Sequence, residues 1–148
     1  MFSKGVFPVH GIDIKVSNKG VTETDSDMVT IAELETFSIS VDGVVQEWSP
    51  LEQKGWKRRL MTGKSISVTC NGKRHVGDPG NDYIAGLMDK TGQDATTTFS
   101  ITFPNGDIFK MNCVIDIKEY IGGESTDVAP LSFDALSDGK PSYQPKSA

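Results

Sequence analysis

No run of apolar residues in this 148-residue chain approaches the about 18 that a membrane-spanning helix needs, which excludes a helical membrane protein. The opening Met1–Pro8 lacks the continuous apolar segment of a secretory signal, so the expectation is a protein made and kept in the cytoplasm unless something carries it out. Histidine is scarce. His10 and His75 have no second histidine or cysteine at ligand spacing, and no metal site is expected. Cysteine is equally scarce, and there is no Cys-x-x-Cys. Cys70 and Cys113 each sit in an alternating apolar stretch, where they read as reduced core thiols, not as nucleophiles. An excess of basic charge is also missing: 15 Lys and Arg face 20 Asp and Glu, a net charge of −5 that argues against a general affinity for nucleic acid. Gly63-Lys64-Ser65 echoes the end of a phosphate-binding loop, but Arg58 stands where that loop needs glycine and Ile66 onward reads as a strand, not a helix. No Gly-x-Ser-x-Gly elbow occurs. The inventory implies no catalytic constellation, no cofactor and no enzyme.

What the sequence has in quantity is period-two alternation. Ile12, Ile14 and Val16 alternate with polar residues up to the turn Asn18-Lys19-Gly20. Val29 and Ile31, then Phe37, Ile39 and Val41, keep odd numbering, while Leu34 falls out of phase and predicts a bulge or a break between two strands. Asp42-Gly43 favours a tight hairpin turn. Ile66, Val68 and Cys70 resume alternation, ended by Asn71-Gly72. One helix is predicted over about Asp82 to Lys90, capped by Asn81, with Ile84, Leu87 and Met88 on one face and Gly92 closing it. The clearest hairpin has Phe99, Ile101 and Phe103 before Pro104-Asn105-Gly106-Asp107, and Phe109, Met111, Cys113, Ile115 and Ile117 after it. Leu131 and Phe133 mark a last strand. From Ser137 the sequence turns polar, which predicts an extended or mobile tail over 137–148. The whole reads as one domain, 1–148, mainly β: an antiparallel sandwich or barrel of about seven strands with one short helix. Residues 1–11 read as an N-terminal arm.

The stretch 44–64 is ambiguous, because Trp48-Ser49-Pro50 breaks the pattern; it reads as an extended loop, an arm or a splayed hairpin. Trp48 and Trp56 within it suit either core or an interface anchor. Charge is segregated along the chain. Lys54, Lys57, Arg58, Arg59, Lys64, Lys73 and Arg74 form a basic run without an acid, whereas Asp13 to Glu47 holds eight acids against Lys15 and Lys19. A nucleic-acid site on Lys57-Arg58-Arg59 with Trp56 stacking, a basic arm meeting the acidic strands of another copy, and a merely solvated surface are all compatible with this pattern. Glu23, Asp25 and Asp27 lack the glycine and distant glutamate of a calcium loop and read as a solvated turn.

The run Ser100-Ile101-Thr102-Phe103-Pro104-Asn105-Gly106-Asp107, followed by Leu131-Ser132-Phe133 and then Ser137-Asp138-Gly139-Lys140-Pro141-Ser142, resembles the major tail tube proteins of long-tailed, lambda-type bacteriophages. The helix just before the hairpin falls where that family places its own. Trp56 to Leu60 followed by Thr62-Gly63-Lys64-Ser65 resembles the version in phages and prophages of Gram-positive bacteria. The resemblance covers about 42–141. It implies a structural, non-enzymatic virion protein whose copies form hexameric rings stacked into a hollow tube. The implied partners are other copies of itself, a tape-measure protein, and tail tip and terminator proteins. DNA would pass through the lumen unbound, and no membrane would be involved. Implied contact residues between subunits or rings are Trp48, Trp56, Lys57, Arg58, Arg59 and Lys64, and the family's turns map to Phe103, Pro104, Asn105 and Gly106 and to Gly139, Lys140 and Pro141. Tube proteins of contractile tails, bacteriocin particles or secretion systems share the architecture.

Overall fold

The computed structural model of the chain describes residues 5–22 and 25–145. Strands β1 (Asp13–Ser17), β2 (Met28–Thr30), β3 (Leu34–Trp48), β4 (Arg58–Lys73), β5 (Thr96–Thr102), β6 (Ile108–Tyr120), β7 (Pro130–Ser137) and β8 (Ser142–Gln144) accompany one helix, α1 (Pro79–Ala85). All pairings are antiparallel, in an 8-stranded sheet of order β2-β1-β5-β6-β7-β4-β3, with β8 added to the side of β6. Alternation carries Ile14, Val16, Val68, Cys70, Phe99, Ile101, Cys113, Ile115, Leu131 and Phe133 into one core, where α1 adds Ile84 and Ala85. Phe99 on β5 and Phe133 on β7 meet edge to face, ring centroids 6.4 Å apart, with β6 between their strands. Their partners on β6, Met111 and Ile117, are six residues apart, so in a flat sheet the two would lie about 20 Å apart, and the inner face is therefore strongly concave. Burial pushes both core thiols up to about 12, with nearby carboxylates adding to the effect, which keeps them protonated.

Turn signals in the sequence also serve close packing. Asp42-Gly43 makes no turn: β3 runs straight through to Trp48, and the chain reverses around a 3-10 turn at Leu51–Gln53. A β-carbon on Gly43 would lie 2.9 Å from the sulfur and methyl of Met61, so glycine leaves room for that side chain. Asn71-Gly72 does stand at the end of β4, which closes one residue later at Lys73, and its glycine serves close packing there. A β-carbon on Gly72 would lie 2.2 Å from the Glu33 carbonyl, beside the Leu34/Thr36 register shift that answers the out-of-phase Leu34. The helix is shorter and earlier than predicted. Asp78, not Asn81, is its cap, accepting from the Asn81 backbone N–H at 2.9 Å, and Pro79 opens the first turn. Gly86 ends it, while Gly92 begins a separate 3-10 turn and Met88 is exposed. Residues Gly5 to Gly11 of the N-terminal arm are exposed, and residues 1–4 lie outside the described residues. Of the acidic cluster, Glu23 lies outside the described residues, and Asp27 accepts from the Thr22 hydroxyl at 3.2 Å.

The polar tail is also partly ordered structure. Ser137 belongs to β7, and β8 pairs Ile108–Lys110 along the part of β6 that β7 does not reach. The reason is the Pro104-Asn105-Gly106 turn. Gly106 takes φ +96°, Asn105 Oδ1 accepts from the Asp107 N–H at 3.1 Å, and its amide donates to the Asp107 carboxylate at 3.0 Å. That carboxylate is 2 % exposed and also accepts a very short hydrogen bond from the Tyr143 hydroxyl. The bond to Asp107 pushes the Tyr143 phenol up from its usual 10 to about 12, with desolvation adding to the shift. A folded-state value above the unfolded one stabilises the fold fully below about pH 10, and the contribution disappears as pH rises through about 12. Tyr143→Phe is therefore expected to speed amide exchange at β8, with its melting temperature below the parent's at neutral pH and converging on it near pH 12. Equal exchange in both proteins would contradict the latch.

Candidate assembly interface

β4 pairs with β7 only over Ser67–Lys73, and the Ile66 N–H donates to the Ser137 hydroxyl at 3.0 Å where that contact ends. Beyond it β3 and β4 have only each other. Residues 41–48 and 58–66 form a two-stranded ribbon that leaves the body of the sheet, which corrects the extended-loop reading of 44–64 and supports the hairpin one. A two-stranded ribbon is marginal in water by itself. Local pairs fix this one. Glu47 accepts from Arg59 Nε at 2.8 Å and from Lys57 Nζ at 3.4 Å, and these bonds, Arg59 first, hold its carboxyl below the usual value. The Arg58 guanidinium lies over the Trp48 ring, 5.7 Å from its centroid. At the Val44/Val45 register shift the Thr62 hydroxyl donates to the Val44 carbonyl at 3.1 Å.

The segregated charge is thus met within one chain. Lys57 and Arg59 face Glu47, Lys73 pairs with Glu35 at 2.7 Å, and Arg74 with Asp82 at 2.8 Å. Among the described residues Lys54 and Lys64 have no acidic partner. Lys57, Arg58 and Arg59 are therefore engaged by their own hairpin, and not a free basic arm.

The ribbon's apolar residues have no such cover. Cross-strand register puts Val41, Val45 and Met61 on the continuation of the core-facing side, and Val44, Trp48 and Leu60 on the other. All six are exposed, and at the tip Leu51 is 96 % and Trp56 77 % exposed. Both tryptophans are outside the core of the single chain. Contiguous bare apolar surface on both faces of a projecting element marks an interaction site. Of the turn residues, Phe103 is buried and Pro104 lies against Gly11, while Asn105 and Gly106 hold the β8 latch. Gly139, Lys140 and Pro141 form the bend before β8 and line a cavity of about 450 Å³ at the ribbon's base, shared with Val41, Lys64 and Ile66. Leu51, Leu60 and Met61 were not picked out from sequence. The available signal was the adjacent apolar pairs Val44-Val45 and Leu60-Met61, which carry no period.

No protein-family model and no curated protein matches the chain. Solved structures do. The chain is similar to a subunit from the tail of an empty gene transfer agent particle refined helically with C6 symmetry, at 20 % identity and TM-score 0.74 over 94 % of this chain and 99 % of that one. It is similar to a subunit of the native gene transfer agent virion at 20 % identity and TM-score 0.69, with the same coverage. A subunit of the sheath-tube complex of an extracellular contractile injection system aligns at 13 % identity and TM-score 0.56 over 97 % of this chain and 94 % of that one. The antiparallel sheet with its single helix is the tail-tube fold.

Proposed function

We propose that this chain is the repeating, non-enzymatic subunit of a tail tube: a late structural protein that forms hexameric rings, stacked in the virion tail into a hollow tube for genome ejection. One observation carries this reading: a ribbon bare of cover on both faces projects from a fold shared with subunits of a C6-symmetric tail. Trp48, Trp56 and Lys64, with the hairpin that Lys57, Arg58 and Arg59 brace, are the contact between subunits. Assembly takes place in the host cytoplasm, with tape-measure, tail tip and terminator proteins as further partners. The sheet also offers a surface to which DNA would not adhere. Ser38, Thr69, Asp134 and Asp116 lie side by side in register on the outer face, with Lys118 paired to Asp116 at 2.7 Å as the nearby cation. The lambda-type, Gram-positive-phage version rests on the sequence resemblance. A contractile tube is the second reading, supported by the likeness to the injection-system subunit.

Concentrated protein, alone or seeded with tail-tip complex, is expected to give rings and tubes of six-fold symmetry in electron micrographs, and to leave duplex DNA unbound at physiological salt. Strict monomers under every seeded condition would sink the proposal, and micromolar DNA binding would favour a monomeric nucleic-acid module acting through 54–74. Tubes that recruit a sheath protein would select the contractile reading.

A further inference from the structure

The ribbon carries a knob at one end and a groove at the other. The knob is Leu51, almost wholly exposed on its 3-10 turn, with Glu52 beside it; extended Pro50 precedes the turn and the left-handed Lys54 closes it. The groove is the cavity of about 450 Å³ at the ribbon's base, floored by Val41, Ile66 and Pro141 and flanked by Lys64 and Lys140. Among the described residues neither of these lysines has an acidic partner, and Glu52 has no basic one.

We infer that Leu51 and Glu52 at the tip of one copy's ribbon seat in the groove at the base of a second copy's ribbon, the carboxylate between Lys64 and Lys140. This rests on the self-assembly reading above and names the surfaces it uses. A copy cannot fill its own groove, because the strand pairs from Val41 to Trp48 place knob and groove about 23 Å apart along a stiff ribbon. The contact is therefore heterologous, head to tail, and repeats from copy to copy, closing into a ring where its rotation closes and growing axially where it does not. Chemistry selects the same pairing. The groove's lining is mainly apolar with cations at its edge, and the knob presents an aliphatic side chain next to an unpaired carboxylate. Lys54 and Lys57 are the cations nearest the knob; Lys57 is engaged by Glu47, and Lys54 follows the turn.

The test is a charge swap read by polymerisation. Glu52→Lys alone, and Lys64→Glu with Lys140→Glu, are each expected to raise the concentration needed for tubes by about tenfold at low salt. Combining all three is expected to restore assembly, a rescue that damage to the fold would not give. A Glu52→Cys, Lys140→Cys variant is expected to yield a ladder of disulfide-linked oligomers on oxidation, because Cys70 and Cys113 are buried and cannot contribute. Parent-like tubes from both reversed variants, no rescue in the combination, or no ladder at concentrations where the double-cysteine variant itself forms tubes would overturn this pairing and leave the tube reading standing. A parent that never polymerises would overturn both.

Discussion

Trp56→Ala is expected to raise the protein concentration required for tube formation by about 30-fold while the melting temperature moves by no more than about 1–2 °C. The two halves rest on different magnitudes. In the single chain Trp56 is 77 % exposed, and its N–H donates to the Gln53 carbonyl at 3.1 Å, a backbone bond that alanine keeps. Substitutions at such exposed positions stay within about 0.5 kcal/mol, and a chain of this length shifts by a few degrees per kcal/mol. At an interface, a tryptophan that becomes buried on contact is worth about 2 kcal/mol or more, a factor of about 30 in each contact. Every subunit of a polymer makes the contact, so the full factor appears in the critical concentration. Trp48→Ala supplies the comparison. That ring supports Arg58 and is less exposed, so its loss is expected to affect both readouts moderately. Melting curves with pelleting assays across concentration check the pair. Unchanged tube yield from Trp56→Ala would remove it from the contact, and a large fall in melting temperature would make it part of the fold.

The body of this fold was legible because its strands keep their apolar residues on one face, even on β5, where the polar face is buried as well. Ile14, Val16, Phe99, Ile101, Leu131 and Phe133 alternate with polar neighbours, and each lies in the core. The Pro104-Asn105-Gly106 turn was legible because glycine and asparagine do there what their chemistry favours. The ribbon was not, for the reason that makes it the candidate site. Val44 and Val45 are adjacent, Trp48 and Leu60 share one face, and Met61 takes the other. An element apolar on both sides has no period to detect, and nothing within the chain covers it. Gly43 misled in a second way, and the packing role of Gly72 was equally illegible. Their absent β-carbons serve Met61 and the Glu33 carbonyl, contacts set by tertiary packing that local sequence does not announce. Charge misled in a third: the acidic and basic segments separated along the chain are brought face to face by the β3–β4 register.

Asn81→Ala is expected to lower the melting temperature by about 10–15 °C and to abolish assembly through loss of the fold, not loss of a contact. Sequence alone suggests a helix cap, a role whose removal costs about 1 kcal/mol. In the structure Asn81 is fully buried inside the first turn of α1. Its amide donates to the carbonyls of Ala32 at 3.0 Å and Lys73 at 2.9 Å, and its Oδ1 accepts from the His75 N–H at 3.0 Å and Arg74 Nη1 at 2.8 Å. Both donors and both acceptor positions of one side chain are filled. They tie the β2–β3 connection to the end of β4, in the body of the sheet and at the opposite end of the β3–β4 pair from the ribbon. The fit depends on close approach: a β-carbon on the neighbouring Gly80 would lie 2.4 Å from the Thr30 carbonyl. Alanine leaves the Ala32 and Lys73 carbonyls and the His75 N–H without this partner, whereas Arg74 keeps its bonds to Asp82 and the His75 carbonyl. At about 1–3 kcal/mol for each buried group left unmade, with water recovering part of the loss, the net cost is about 3–5 kcal/mol. Local exchange should show its origin first, with amides of 31–34 and 72–75 losing protection ahead of the Phe99–Phe133 core. A melting temperature within about 3 °C of the parent would mean that water replaces the amide fully and that Asn81 does not hold the β2–β3 connection to β4.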